Sequence, residues 1–177
     1  MCIRDRYRDV YGVQPKYNRL YLEPHLIPQL NGTRLKYRLR QQLYEIDLST
    51  NEYRMQAKNF GVATKDPFGM NVAGNTLEYF HADRRSYSMK LTRMTNDPVN
   101  IVILNGAVSS ADYRRWRESC SNPKETIDHL VADLKPDNTY AVHKDGRLLA
   151  SVRSNARGEI RFRSSGGAAS HVFEVKR

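Results

Sequence analysis

The chain has 177 residues, 40% of them hydrophobic and 27% charged, enough apolar material for one domain or two small ones and too much for a disordered chain. Its 29 Lys and Arg outweigh 19 Asp and Glu for a formal charge of +10, so polyanions must be weighed as partners, although the arginines are spread from Arg4 to Arg177. The longest apolar run, Val99 to Leu104 interrupted by Asn100, is far short of the roughly 20 residues of a membrane-spanning helix, so no membrane partner is expected.

At the N-terminus, Met1 to Arg6 (MCIRDR) has neither the apolar core of a secretion signal nor the length of a transit peptide. It resembles a hexapeptide produced when sequencing-adapter bases in metagenomic assemblies are translated; a short basic arm is the other reading. On the adapter reading the natural chain begins upstream of Tyr7 and the sequence is a C-terminal fragment.

Leu20-Tyr21-Leu22, bounded by Pro24 and Pro28, reads as a short strand. Asn31-Gly32 is a turn signal. Beyond it Thr33, Leu35, Tyr37 and Leu39 alternate with Arg34, Lys36, Arg38 and Arg40, a period of two that predicts a strand with four cations on one face. Tyr44, Ile46 and Leu48, then Tyr53, Met55 and Ala57, repeat the alternation, which predicts an antiparallel meander. Thr76 to Phe80, Tyr87 to Met94 and Val99 to Leu104 are further strands. Ser110 to Ser119 (SADYRRWRES) is short and heavily charged, and reads as a connector with a turn or two of helix capped by Ser110. After Asn122-Pro123, strands are predicted at Thr126 to Ala132, Thr139 to Lys144, Arg147 to Arg153, Glu159 to Arg163 and Ser170 to Val175. Asp145-Gly146 between two of them predicts a tight hairpin.

The fold class expected is therefore all-β, an antiparallel β-sandwich followed by a small immunoglobulin- or fibronectin-like β-module. The division predicted is an adapter artefact or disordered arm plus the end of an upstream domain over 1–10, the sandwich over 11–109, a linker over 110–123 and the module over 124–177.

Little in the sequence points to catalysis. His25, His81, His129, His143 and His171 lack metal-ligand spacing, and no phosphate-binding glycine loop or nucleophile elbow occurs. Two cysteines, Cys2 and Cys120, leave one disulfide open, and no base adjoins Cys120 to activate it. Glu45 and Asp47 share the face opposite Tyr44 and Ile46, where a solvated carboxylate outweighs a catalytic one. No metal or other cofactor is expected. Two surface sites are candidates. Tyr113 and Trp116, exposed on a connector, would form a platform on which sugar rings stack. Arg34, Lys36, Arg38 and Arg40 would grip a polyanion, nucleic acid or acidic polysaccharide; a solvated arginine face that protects a sheet edge outweighs nucleic-acid binding there.

The run Gly12-Val13-Gln14-Pro15, Leu20-Tyr21-Leu22-Glu23-Pro24, Leu26-Ile27-Pro28, Leu30-Asn31-Gly32, Leu35-Lys36-Tyr37 and Tyr44-Glu45-Ile46 resembles the segment after the catalytic barrel of cellobiose-phosphorylase-like enzymes. Those are (α/α)-barrel glycoside hydrolases and phosphorylases with a C-terminal β-sandwich. The resemblance covers Tyr11 to Leu48; Asn51 to Ser109 has no counterpart in it. Residues 124–177, with Leu134-Lys135-Pro136, Tyr140-Ala141-Val142, Asp145-Gly146 and Gly158-Glu159-Ile160-Arg161-Phe162, are similar to small terminal β-domains of secreted polysaccharide-degrading enzymes. The resemblance implies a non-catalytic accessory region whose partner is an upstream catalytic domain of the same chain, with polysaccharide as ligand and a periplasmic or extracellular parent. The family's acid and base lie in the barrel, so no catalytic residue carries over.

Overall fold

The computed structural model describes residues 6–16, 18–81, 87–104 and 110–177. After a single helical turn at Arg6–Val10, the chain runs through β1 (Val13–Lys16), β2 (Arg19–Leu22), β3 (Thr33–Leu39), β4 (Gln42–Leu48), β5 (Tyr53–Ala57), β6 (Phe60–Thr64), β7 (Phe68–Ala73) and β8 (Thr76–His81). It continues through β9 (Ser88–Arg93), β10 (Val99–Ile103), β11 (Tyr113–Cys120), β12 (Thr126–Ala132), β13 (Thr139–Lys144), β14 (Arg147–Arg153), β15 (Ile160–Ser165) and β16 (Gly167–Lys176). One sheet has the order β1-β2-β7-β8-β9-β12-β15 and the other β14-β13-β16-β11-β10-β6-β5-β4-β3. Each strand pair is antiparallel except β6 with β10, which is parallel. The fold is an all-β sandwich.

The alternating segments form strands because alternation gives a pleated sheet one face to bury and one to solvate. β4 shows this directly: Tyr44, Ile46 and Leu48 are buried while Glu45 and Asp47 are exposed. The β3-β4-β5 meander continues into β6. At the β13–β14 hairpin Asp145 and Gly146 have φ of 51° and 77°, the pair of left-handed conformations that a two-residue turn matching strand twist requires. Gly158 (φ 71°) is obligatory for a different reason: a Cβ there would lie 2.0 Å from the Leu134 carbonyl oxygen.

The structure departs from the predicted division. The segment read as a charged connector is β11, an eight-residue strand between β10 and β16 in the nine-stranded sheet. Residues 124–177 do not form a module of their own. β12 and β15 join the sheet of β1 and β2, while β13, β14 and β16 join the sheet of β3 to β6. One cluster of buried side chains runs from Val13 to Val175. β11 escapes sequence reading because its inward face alternates Arg114, Trp116, Glu118 and Cys120, all buried, so the usual apolar and polar faces are not distinguishable by residue type. β6 and β7 escape because both faces of each are buried along nearly their whole length, which erases alternation.

Several charged groups inside the sandwich are held by specific partners. Arg114 donates to the carbonyls of Tyr113 (3.0 Å) and Asp133 (2.8 Å), and its guanidinium lies 4.9 Å from the Tyr87 ring centroid. Glu118 on β11 meets His129 on β12 across the two sheets at 2.8 Å. At one end, the fully buried Glu125 carboxylate accepts from the amides of Met94 (2.7 Å), Thr95 (3.1 Å) and Thr126 (3.1 Å) and from the Thr95 hydroxyl. Burial works to raise its pKa, but these hydrogen bonds together outweigh it and hold the carboxyl below the ordinary value. The stabilisation is therefore complete above the unfolded-state pKa of about 4.3 and is lost as pH falls through the lower folded value. Urea midpoints measured from neutral to acidic pH are expected to stay level and then fall below about pH 4. Glu125→Gln should be less stable at neutral pH and should flatten the acid limb; an unchanged acid limb would refute this assignment.

Candidate functional site

The structure separates the residues expected to form a sugar platform. Tyr113 and Trp116 are three apart on a strand, an odd spacing that sends them to opposite faces. Trp116 is 0% exposed and stacks on Phe173 at a centroid separation of 5.4 Å and 10° between planes. Tyr113 is half-buried, with its hydroxyl donating to Glu174 at 3.4 Å. No shared stacking surface exists between them, and the platform reading is corrected.

The four cations near β3 also divide. Arg34, Lys36 and Arg38 lie on the outer face of an edge strand of the nine-stranded sheet. Arg34 pairs with Asp47 at 3.3 Å and Lys36 with Glu45 at 2.9 Å, so two of them are neutralised by the strand opposite. Arg40 is not on the strand; it occupies the β3–β4 turn with φ 56°. The arrangement is a solvated edge with cross-strand charge pairing.

A more concentrated set of polar groups covers the outer face of the seven-stranded sheet. Between β9, β12 and β15 a groove of about 570 Å3 is lined by Lys90, Thr92, Asp128, Leu130, Arg161 and Arg163. These residues share a face because each alternates with a buried neighbour: Met89 and Leu91 on β9, Ile127, His129 and Val131 on β12, Ile160 and Phe162 on β15. Register aligns them in rows, Arg163 with Asp128 and Thr92, and Arg161 with Leu130 and Lys90. Arg163 grips Asp128 with two nitrogens, at 2.6 and 3.1 Å, and Lys90 pairs with Glu78 on β8. Farther across the same face Phe80, Tyr21, Arg19 and Lys16 line a second pocket of about 210 Å3.

The electrostatics of the face keep its carboxylates charged. The Arg163 hydrogen bond and charge hold Asp128 below the usual carboxylate range, and Asp128 in turn raises Arg163. Burial pushes Glu78 upward, but hydrogen bonds from Lys90 and Asn71, with the charges of Lys90 and Arg19, overcome it and keep the carboxyl low. Neither can serve as the protonated acid that glycosidic cleavage needs at neutral pH. What they offer is fixed acceptors beside fixed donors.

Sequence reading missed this face although it placed β9, β12 and β15 as strands. The signal was present in the alternation, since Arg161 and Arg163 flank Phe162, but nothing local says that β15 lies beside β12 and β12 beside β9. Cys120, buried and unpaired, has its thiol raised by burial; Cys2 lies outside the described residues. Among the described residues no cluster of His, Cys, Asp or Glu could hold a metal ion, and no helix is long and apolar enough to cross a membrane. Comparison of the chain with protein-family models, with curated proteins and with solved structures gives no significant match.

Proposed function

We propose that the chain is the non-catalytic accessory region of a carbohydrate-active protein, a glycoside hydrolase or phosphorylase, and that it holds polysaccharide in the groove between β9, β12 and β15. The observation that carries this reading is the groove itself: an open trough of about 570 Å3 in which the Arg163–Asp128 pair, Lys90 and Thr92 supply donors and acceptors around Leu130. Sugar hydroxyls need such groups held in place before binding, because each side chain ordered only on contact costs affinity. The resemblance of Tyr11 to Leu48 to a region beside a catalytic barrel supports the accessory role, as do two carboxylates held ionised rather than split into acid and base.

The test is retention of the purified chain by a panel of polysaccharides in affinity electrophoresis, alongside assays for hydrolysis and phosphorolysis. Binding to at least one glycan is expected, weakened about tenfold or more in Asp128→Asn and in Arg163→Gln, with no turnover. Turnover abolished by Glu78→Gln or Asp128→Asn would overturn the non-catalytic reading. Retention unchanged in both groove variants would overturn the site.

A further inference from the structure

Among the described residues, five strand cations lie directly opposite a carboxylate that neutralises them: Arg34 with Asp47, Lys36 with Glu45, Lys90 with Glu78, Arg115 with Glu174 and Arg163 with Asp128. At the far edge of the seven-stranded sheet this rule is broken. Lys16 on β1 lies directly opposite Arg19 on β2, both are half-buried, and among the described residues neither forms an ion pair with a carboxylate. Like charges directly opposite on a sheet destabilise it. A second such pair, Lys144 and Arg147, flanks the Asp145 turn, but there Arg147 is exposed and Lys144 donates to the Ser165 carbonyl at 2.8 Å.

The surroundings of Lys16 and Arg19 hold them in place without neutralising them. The Arg19 guanidinium lies 3.6 Å from the Phe80 ring centroid and the Lys16 ammonium 5.1 Å from that of Tyr21. Tyr21 is itself fixed across Gly69, where even a Cβ would come within 2.7 Å of the ring. A guanidinium held against an aromatic face keeps its in-plane N–H groups free, the fork that matches a carboxylate or sulfate. Glu78, which attracts Arg19 at longer range, is already engaged by Lys90. Asp133, which also lines the pocket, accepts from Ser88 at 2.7 Å.

We infer that Lys16 and Arg19 form an anion subsite that takes the carboxylate or sulfate of an acidic sugar, so that the polysaccharide proposed above is an acidic one crossing the sheet from β15 to β1. The inference rests on the polysaccharide reading of that face. At about 4.8 Å between neighbouring strands, the six steps from β15 to β1 span about 29 Å, which requires an extended oligomer rather than a single sugar. The pocket, about 210 Å3, is below the roughly 300–1,000 Å3 of sites that enclose drug-sized ligands, a size for one anionic group and its ring. Nucleic acid fits less well, because base stacking needs open aromatic faces and those of Phe80 and Tyr21 carry the two cations.

The experiment is calorimetric titration of the full chain with a galacturonate oligomer, a neutral glucose oligomer of equal length and a single-stranded DNA of equal charge, at low and moderate salt. The galacturonate oligomer is expected to bind best, more weakly as salt rises. Lys16→Gln/Arg19→Gln should lose about tenfold or more of that affinity and Arg19→Lys several-fold, since it keeps the charge but not the fork; urea midpoints no lower than wild type, and raised in the double variant by relief of the like-charge pair, establish that the variants are folded. Loss of affinity in this double variant with none in Asp128→Asn upholds the subsite and overturns the groove. Loss in Asp128→Asn with none in the double variant overturns the subsite and leaves the groove. No galacturonate binding, or tighter binding of DNA or the neutral oligomer, overturns the subsite.

Discussion

Trp116→Ala is expected to remove about 3–5 kcal/mol of stability, the cost of truncating a fully buried aromatic in a core that cannot collapse around the void. The ring has no slack around it: Phe173 stacks on one side, while His129 and Phe162 from the opposite sheet lie at centroid separations of 6.0 and 6.3 Å. Its Nε1 also donates to Glu118 at 3.5 Å. β11 is an inner strand of the nine-stranded sheet, so the cavity opens where both sheets meet. Urea unfolding measures the loss. Glycan affinity, read where the variant is still folded, should be unchanged, since the indole touches no surface. A variant of wild-type stability that no longer binds polysaccharide would refute this placement and restore Trp116 as a ligand platform.

The second large effect is expected at Glu118. Its carboxylate meets His129 Nε2 at 2.8 Å with both side chains shut away from solvent, and it is the acceptor for Trp116. Glu118→Ala strands both donors in the interior and should cost about 3–5 kcal/mol, the usual penalty for removing one partner of a buried pair. Desolvating the pair is itself expensive, so replacing both partners with apolar side chains of similar volume should recover most of the loss. Glu118→Leu/His129→Leu is accordingly expected within about 1 kcal/mol of wild type, or above it. Urea midpoints of the two single variants and the double give the coupling between the sites. If the double variant were destabilised by the sum of the singles, the pair would not be acting as a unit and the assignment would fall.

The two predictions bear on the same strand from opposite sides of its chemistry. Trp116 contributes through area and shape, Glu118 through a polar contact that stabilises only while both partners are present. Both project inward from β11, where Arg114 adds a guanidinium whose two terminal nitrogens donate to carbonyls beside an aromatic ring. A core strand with this composition links the sheets at several fixed points, and one-residue slippage of β11 would expose Trp116 and bury Arg115 and Arg117.

The all-β class was legible in the amino-acid sequence because alternation is a local property: Leu35, Tyr37 and Leu39 or Tyr44, Ile46 and Leu48 mark one face whatever lies across from it. Turns at Asn31-Gly32 and Asp145-Gly146 were legible for the same reason, since left-handed backbone is a demand on single residues. Tertiary structure alone decided what those faces meet. It made a strand of Tyr113 to Cys120 by bringing the Asp133 carbonyl to Arg114 and His129 to Glu118, and it made strands of β6 and β7 by covering both their faces. It also drew Lys90, Asp128 and Arg163, and then Lys16 and Arg19, onto one surface from five strands spread over most of the chain. Periodicity says which side of a strand is wet; which strands lie side by side depends on closing long loops and burying area against distant segments, and no window of sequence contains that information.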